Sequence, residues 1–302
     1  MSGENPTKHI IQSLLVNLAI AAAKTVAAIV TGSGALLAEA IHSGADCTNQ
    51  LLLLLGVKRA AQPPDARHPL GYGRSLYFWS FVVALLLFTG GGVFSIYEGI
   101  HKLALHDPVE MVWVGLAILG FSLALEGAAT ISNMREFNRR RGDVPFLRYL
   151  RDTKDSGLVV VFGENAAASL GLVAAIGALV LAWITGDSRW DAAGSIAIGV
   201  ILVGVAIFLA IEVKSLLVGE GADPAIAAAV RAVALEQADI VEVLHLITLQ
   251  QGPGEVVLAA KVRVKPELTA AGVCESINAF EVAVKQRCPD VRWSFIEPDL
   301  QA

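Results

Sequence analysis

The chain has 302 residues, of which 55% are apolar and only 17% charged, and its net charge is −5. That is too little charge for a water-soluble chain of this length, and the small, unevenly placed negative charge gives no ground for a nucleic-acid partner. Three cysteines, Cys47, Cys274 and Cys288, form no C-x-x-C pair and no disulfide pattern, which suits a reducing compartment.

Apolar runs of about 20 residues or more predict six membrane-spanning helices behind a short tail, residues 1–9. No strongly basic start or A-x-A site accompanies the first run, so it reads as a retained helix and not as a signal peptide. That helix runs from Ile10 to about Thr31, broken only by Asn17 and Lys24. Thr31-Gly32-Ser33-Gly34 is a turn, so the second helix, Ala35 to about Val57, returns antiparallel. A polar loop, Lys58 to Arg74, precedes a third helix from about Leu76 to Ile100, where Gly90-Gly91-Gly92 permits close contact or a bend. A short loop with His101, Lys102, His106 and Asp107 leads to the fourth helix, Val109 to Asn133. A long basic loop, Met134 to Asp155, follows, then the fifth helix, Val159 to Thr185, and the sixth, Ala192 to Val213. The transmembrane domain is thus expected over residues 10–213.

Lys58, Arg59, Arg67 and Arg74 lie in one loop, and Arg135, Arg139, Arg140, Arg141, Arg148, Arg151 and Lys154 in another on the same side. By the positive-inside rule both face the cytoplasm, and an even number of spans leaves both termini there. Residues 214–302 turn soluble in composition. Asp223-Pro224 is an N-cap followed by proline at the first helical position. Val241, Val243, His245, Ile247 and Leu249 alternate, as do Val256, Leu258, Ala260, Val262 and Val264, with Gln251-Gly252-Pro253-Gly254 as the hairpin between them. A helix from Thr269 to Arg287 and a strand from Val291 to Ile296 complete an α-β-β-α-β order, an α+β domain with helices on one face of a small sheet.

Inside the second helix, His42 and Asp46 lie four residues apart and so share a face. A carboxylate at membrane depth costs about 2.5–3.5 kcal/mol on insertion scales and usually marks an ion path. Imidazole nitrogen and carboxylate oxygen suit a borderline divalent cation such as Zn²⁺. Lys24 and Glu39 stand at similar depths on consecutive helices and read as a structural ion pair. Glu126, near the depth of Glu164, reads either as a proton relay or as a packing or pairing group. Asn17, Asn49 and Gln50 are interhelical hydrogen-bonding groups, with Asn49 placed to act behind the metal ligands. All three cysteines are expected to pack.

Six spans, His42-x-x-x-Asp46 followed by Asn49-Gln50, the Asp65-x-x-His68-Pro69-x-Gly71 loop and the α-β-β-α-β tail together resemble the cation diffusion facilitator family. Ala38 to Ser43, Leu51 to Leu55 and Phe295-Ile296-Glu297-Pro298-Asp299 resemble most the branch that contains human zinc transporter nine. The resemblance implies a homodimer with a metallochaperone-like cytoplasmic domain. It implies a transport site built from the second and fifth helices, and export of Zn²⁺, or of Mn²⁺, Fe²⁺, Co²⁺ or Cd²⁺, against protons, with no organic cofactor. The fifth helix departs from the family's second ligand pair, reading Glu164-Asn165-Ala166-Ala167-Ala168-Ser169. Charge favours Glu164 as the third ligand, because neutral His42 with ionised Asp46 and Glu164 balances a dication; Asn165, Ser169 or water would complete the shell. Tyr72 replaces a second loop histidine, leaving Asp65 and His68 as a weak loop site. Ala260 and Phe295 stand near the family's cytoplasmic histidine ligands, leaving His245 nearly alone, so no binuclear site is expected there.

The expected function is therefore proton-coupled efflux of a divalent metal by alternating access, from a bacterial inner membrane. The rival reading is a transport-deficient scaffold or metal sensor descended from such a transporter. An enzyme is not expected: H-E-x-x-H, G-x-S-x-G and P-loop motifs are all absent.

Overall fold

The computed structural model describes residues 6–105 and 111–300; His106, Asp107, the Val109 start of the fourth helix and residues 1–5 of the expected tail lie outside the described residues. Two compact units result. The first is drawn from the chain up to Gly56, Trp79–Leu150 and Gly157–Glu212. The second gathers Val57–Phe78, Arg151–Ser156 and the chain from Val213 onward.

The first unit is a helical bundle with an apolar exterior and several charged and polar side chains set into its interior. Its spans are α1 (Pro6–Thr31), α2 (Gly34–Ala60), the run α3 (Ser75–Leu86), a π-helical segment (Leu87–Val93) and α4 (Phe94–Leu105), then α5 (Val112–Arg141), α7 (Ser156–Thr185) and α8 (Arg189–Val218). Lys24, Glu39, His42, Asn49, Glu164 and Asp191 are buried, whereas Ile29, Trp113, Phe121, Val173, Ile184 and Ile211 face outward. That inversion of the soluble pattern is what a hydrocarbon solvent selects. Four of these helices, Ser75–Ala104, Val112–Arg141, Ser156–Thr185 and Arg189–Val218, are long and apolar enough to cross a bilayer. With 27 residues α2 is also long enough, but Glu39, His42, Asp46, Asn49 and Gln50 lower its apolarity.

The glycines of the third span sit in the π-helical turn, and Gly91 and Gly92, but not Gly90, serve close packing. A methyl group on Gly199 of α8 would lie 2.7 Å from the Gly92 carbonyl and 2.6 Å from Ile96 Cγ1. Only a bare Cα lets the two backbones approach so closely.

Several helices outrun their sequence-derived ends. The fourth span continues from Asn133 to Arg141, because Glu136 pairs with Arg139 and Arg140 one turn on, at 2.7 and 2.6 Å. Phe137 anchors the same extension among Phe146, Tyr149 and Phe162. Gly142, with φ +53°, stops the helix, and the supposed loop beyond it holds a short α6 (Phe146–Asp152).

The second unit contains α9 (Pro224–Glu236), β1 (Ile240–Gly252), β2 (Glu255–Val264), α10 (Ala270–Arg287) and β3 (Val291–Asp299), in the expected order. Asp223 caps α9 by accepting from Ala225 N at 2.8 Å, and Thr269 caps α10 by accepting from Gly272 N at 3.2 Å. The sheet order is β1-β2-β3, antiparallel then parallel. Val256, Leu258, Ala260, Val262 and Val264 face the core with Phe280 and Val284 of α10. Gly254, with φ +67°, closes the hairpin.

β1 departs from simple alternation. Register shifts after Ile240 and Val243 act as bulges, and each moves the following side chains to the other face. Val243 and Leu246 therefore reach the core, while Val241, Ile247 and His245 lie on the open face, beside Phe295 of β3. Cys288 packs in the core as expected. Cys274 does not: it is exposed, because its place on α10 points away from the sheet.

Candidate metal centre

His42 and Asp46 emerge from α2 one turn apart, with His42 Nδ1 3.6 Å from Asp46 Oδ1. His42 is fully buried, yet neither ring nitrogen has a hydrogen-bond partner, and Asp46 Oδ1 is unpartnered too. A buried polar atom without a partner costs about 1–3 kcal/mol, so such atoms gather where a ligand is expected. Asp46 opens onto a cavity of about 570 Å³ that is also lined by Asn17, Ser43, Gln50, Glu126, Glu164 and Asn165. Its wall follows α2 from Ser43 to Gln50, α5 from Leu125 to Asn133 and α7 from Ala168 to Val161. The cavity therefore extends towards the helix ends that carry the basic loops.

Glu164 of α7 enters the same cavity and is oriented from α2. Asn49 Nδ2 donates to Glu164 Oε1 at 2.6 Å, while Asn49 Oδ1 stays unpartnered. Asn49 thus joins α2 to the carboxylate of α7. The remaining α7 candidates divide. Asn165 lines the cavity, but Ser169 is turned away, its hydroxyl 2.8 Å from Thr130 Oγ1 on α5. Thr130 also donates to the Asn165 carbonyl at 2.9 Å. Ala168 presents only a methyl group to the cavity. Among the described residues, no group of three or more His, Cys, Asp or Glu side chains is drawn together tightly enough to hold an ion.

Lys24 forms the expected pair with Glu39, Nζ to Oε2 at 3.1 Å, and two further contacts. Its ammonium reaches Ser43 Oγ at 2.8 Å and Glu126 Oε1 at 2.9 Å, joining α1, α2 and α5. Glu126 is thus an ion-pair partner through one oxygen; the other, Oε2, is buried and unpartnered. Gln50, expected as an interhelical hydrogen-bonding group, keeps Oε1 unpartnered. Ser43 escaped the sequence reading, although its spacing of four from Glu39 places it on the same face of α2.

Asp191 of α8 was also missed. It accepts from Ser33 Oγ at 2.5 Å and Gly34 N at 2.7 Å, capping α2, and stands 3.6 Å from Lys102 Nζ. Nothing local announces this role, because the helix it caps is remote in sequence.

In the second unit, Asp65 is spent on its own loop. It accepts from Arg67 N at 2.9 Å, His68 N at 2.7 Å and Tyr72 Oη at 2.7 Å, and the His68 and Tyr72 rings lie 4.1 Å apart, tilted by 37°. The Tyr72 hydroxyl, then the His68 amide, hold the Asp65 carboxyl below the ordinary carboxylate range, and Asp65 in turn raises the Tyr72 phenol. The pair reads as a clasp on the loop. His245 is paired in register with Lys261 across the strands.

A Xenopus laevis protein named proton-coupled zinc antiporter SLC30A9, mitochondrial, is 34% identical over 224 residues, which is 73% of this chain and 40% of that protein. The Homo sapiens protein of the same name is 32% identical over 223 residues, covering 73% of this chain and 39% of its own length. The chain thus spans about 40% of the length of these relatives. A solved MamM-CTD structure is 19% identical, covers 26% of this chain and 94% of its own, and has a TM-score of 0.25. The family described as cation efflux transmembrane domain matches residues 10–218, more than half of the chain, and the chain belongs to that family.

Proposed function

We propose that the chain exports a divalent metal cation, zinc first and Mn²⁺, Fe²⁺, Co²⁺ or Cd²⁺ behind it, in exchange for protons. The observation that carries this is His42, wholly buried in a membrane bundle with both nitrogens unpartnered, one turn from Asp46 beside a polar cavity. Neutral His42 with ionised Asp46 and Glu164 offers one nitrogen and two anionic oxygens, whose charge cancels that of the cargo. Asn49 fixes the Glu164 carboxylate. Metal enters from the cytoplasm along the cavity, the bundle rocks outward, and outside protons compete for the same lone pairs and displace the ion. Imidazole titrates near neutral pH and suits that exchange. The relatives' name, proton-coupled zinc antiporter, agrees with this reading. Two copies pair through the C-terminal sheet domain, in a bacterial inner membrane with both termini cytoplasmic.

The test is proton flux into vesicles holding the purified protein and a pH-sensitive dye. Zinc-driven flux in the wild type, abolished in His42→Ala and Asp46→Ala, is the expected result; unchanged flux in either variant refutes the site. One observation favours a second reading, a non-transporting scaffold or sensor: α7 offers Ala168 where a second ligand would stand, and the described side chains do not converge on one point. A stable dimer that passes no divalent ion decides for that reading.

A further inference from the structure

We infer that Glu126 of α5 supplies the fourth ligand to the transported cation, filling the position that Ala168 leaves blank on α7. The inference rests on the transport-site reading above and deepens it.

Zinc takes four ligands with tetrahedral geometry. His42, Asp46 and Glu164 provide three. On α7, Ala168 has no donor atom, the Ser169 hydroxyl is held by Thr130, and Asn165, which lines the cavity, offers only a neutral amide. Glu126 meets the requirement on three counts. It lines the same cavity as Asp46 and Glu164. Its Oε2 is buried without a partner. Its other oxygen is fixed by Lys24 Nζ at 2.9 Å, and the same ammonium holds Ser43, the neighbour of His42, at 2.8 Å. Lys24 thereby pins the Glu126 carboxylate at the level of the His42 turn with one oxygen left over. The fully buried, unpartnered imidazole of His42, 3.6 Å from the cavity-lining Asp46, is the independent sign that a ligand is received here. Lys24, shared between Glu126 at 2.9 Å and Glu39 at 3.1 Å, offsets part of the charge that Glu126 adds to the site. The ion would then be held from three helices, α2, α5 and α7, and its release would require them to part.

The test is calorimetric titration of Zn²⁺ into the full chain in detergent, with Glu126→Gln beside His42→Ala and Asp46→Ala, together with a map of the zinc-loaded wild type. Glu126→Gln keeps an oxygen for Lys24 and removes only the anionic donor, so zinc affinity is expected to fall by at least about tenfold. In the map, Glu126 Oε2 is expected about 2.0–2.2 Å from the metal. Wild-type affinity in Glu126→Gln, with binding lost in His42→Ala, overturns the inference and leaves the site standing. Wild-type affinity in His42→Ala and Asp46→Ala overturns both. Should Glu126→Gln fail to fold, the map alone decides: a water in the fourth position, with Glu126 left on Lys24, overturns it.

Discussion

Asp191→Ala removes the acceptor that holds the start of α2, the helix that carries His42 and Asp46. Two short hydrogen bonds to a carboxylate go with it, from Ser33 Oγ at 2.5 Å and Gly34 N at 2.7 Å. Each such bond to a charged group contributes about 1.5–3 kcal/mol. Lys102 Nζ, 3.6 Å away and only 15% exposed, loses its carboxylate as well. Breaking a buried pair costs about 3–5 kcal/mol, and since the two accounts describe the same groups they overlap, so the expected loss is about 3–5 kcal/mol in all. Asp191→Asn keeps one oxygen in place and loses the charge, for about half that. Asp187 is the control: its carboxylate accepts from Arg189 N at 2.9 Å in an exposed turn, and Asp187→Ala should cost under about 1 kcal/mol. Denaturant unfolding in micelles, followed by circular dichroism, measures all three. If Asp191→Ala unfolds within about 0.5 kcal/mol of wild type, the cap is a coincidence of position and the reasoning fails.

Three further outcomes are expected. Gly199→Ala forces a methyl group against the Gly92 carbonyl at 2.7 Å and should cost about 1–3 kcal/mol by thermal unfolding in micelles. Asn49→Ala leaves the Glu164 carboxylate unoriented and should weaken zinc binding about 10–100-fold, read by titration, with the unfolding midpoint as a check on folding. The lowered Asp65 value means that the loop clasp is fully present above the ordinary carboxylate range and is lost as pH falls through the lowered value. Tyr72→Phe removes the largest cause and should move the Asp65 titration upward towards that range, as carbon-13 spectroscopy of labelled aspartate carboxylates would record.

How much of this was legible depends on whether the cause was local. Helix identity and the α-β-β-α-β order follow from apolar period and capping residues within a few positions, and Asp223 and Thr269 behave as local caps. The Lys24–Glu39 pair was legible because depth along two antiparallel helices can be counted from the turn between them. What sequence spacing lacked was rotation about the helix axis and everything beyond the next helix. Glu126 joining Lys24 spans 102 positions and Asp191 capping α2 spans 157, so neither has a period to betray it. In β1 the alternation was present, but two bulges exchanged its faces, and a bulge is set by pairing with β2 and not by the residues of β1 alone. The helical extension to Arg141 failed for a similar reason: hydropathy marks where the bilayer ends, while Phe137 and the Glu136 pairs keep the helix going beyond it.

Buried polar groups in a membrane bundle come in two kinds, and here they separate cleanly. Lys24 and Asp191 are as deeply buried as His42, but each is saturated: Lys24 by two carboxylates and a hydroxyl, Asp191 by a hydroxyl, a helix terminus and an ammonium. Saturated charges at this depth hold helices together and would resist exchange for another partner. Among the described residues of the first unit, every buried side-chain nitrogen or oxygen without a partner belongs to α2 between Glu39 and Gln50, or to Glu126. Unmet demand concentrated on one helix face and one carboxylate opposite is costly, at about 1–3 kcal/mol per atom, and random wear would scatter it. A cation that binds there relieves several of these atoms at once, and a proton on the imidazole or a carboxylate relieves fewer of them. On the function proposed above, the same accounting makes protons the weaker competitors of the metal, as an exchanger requires.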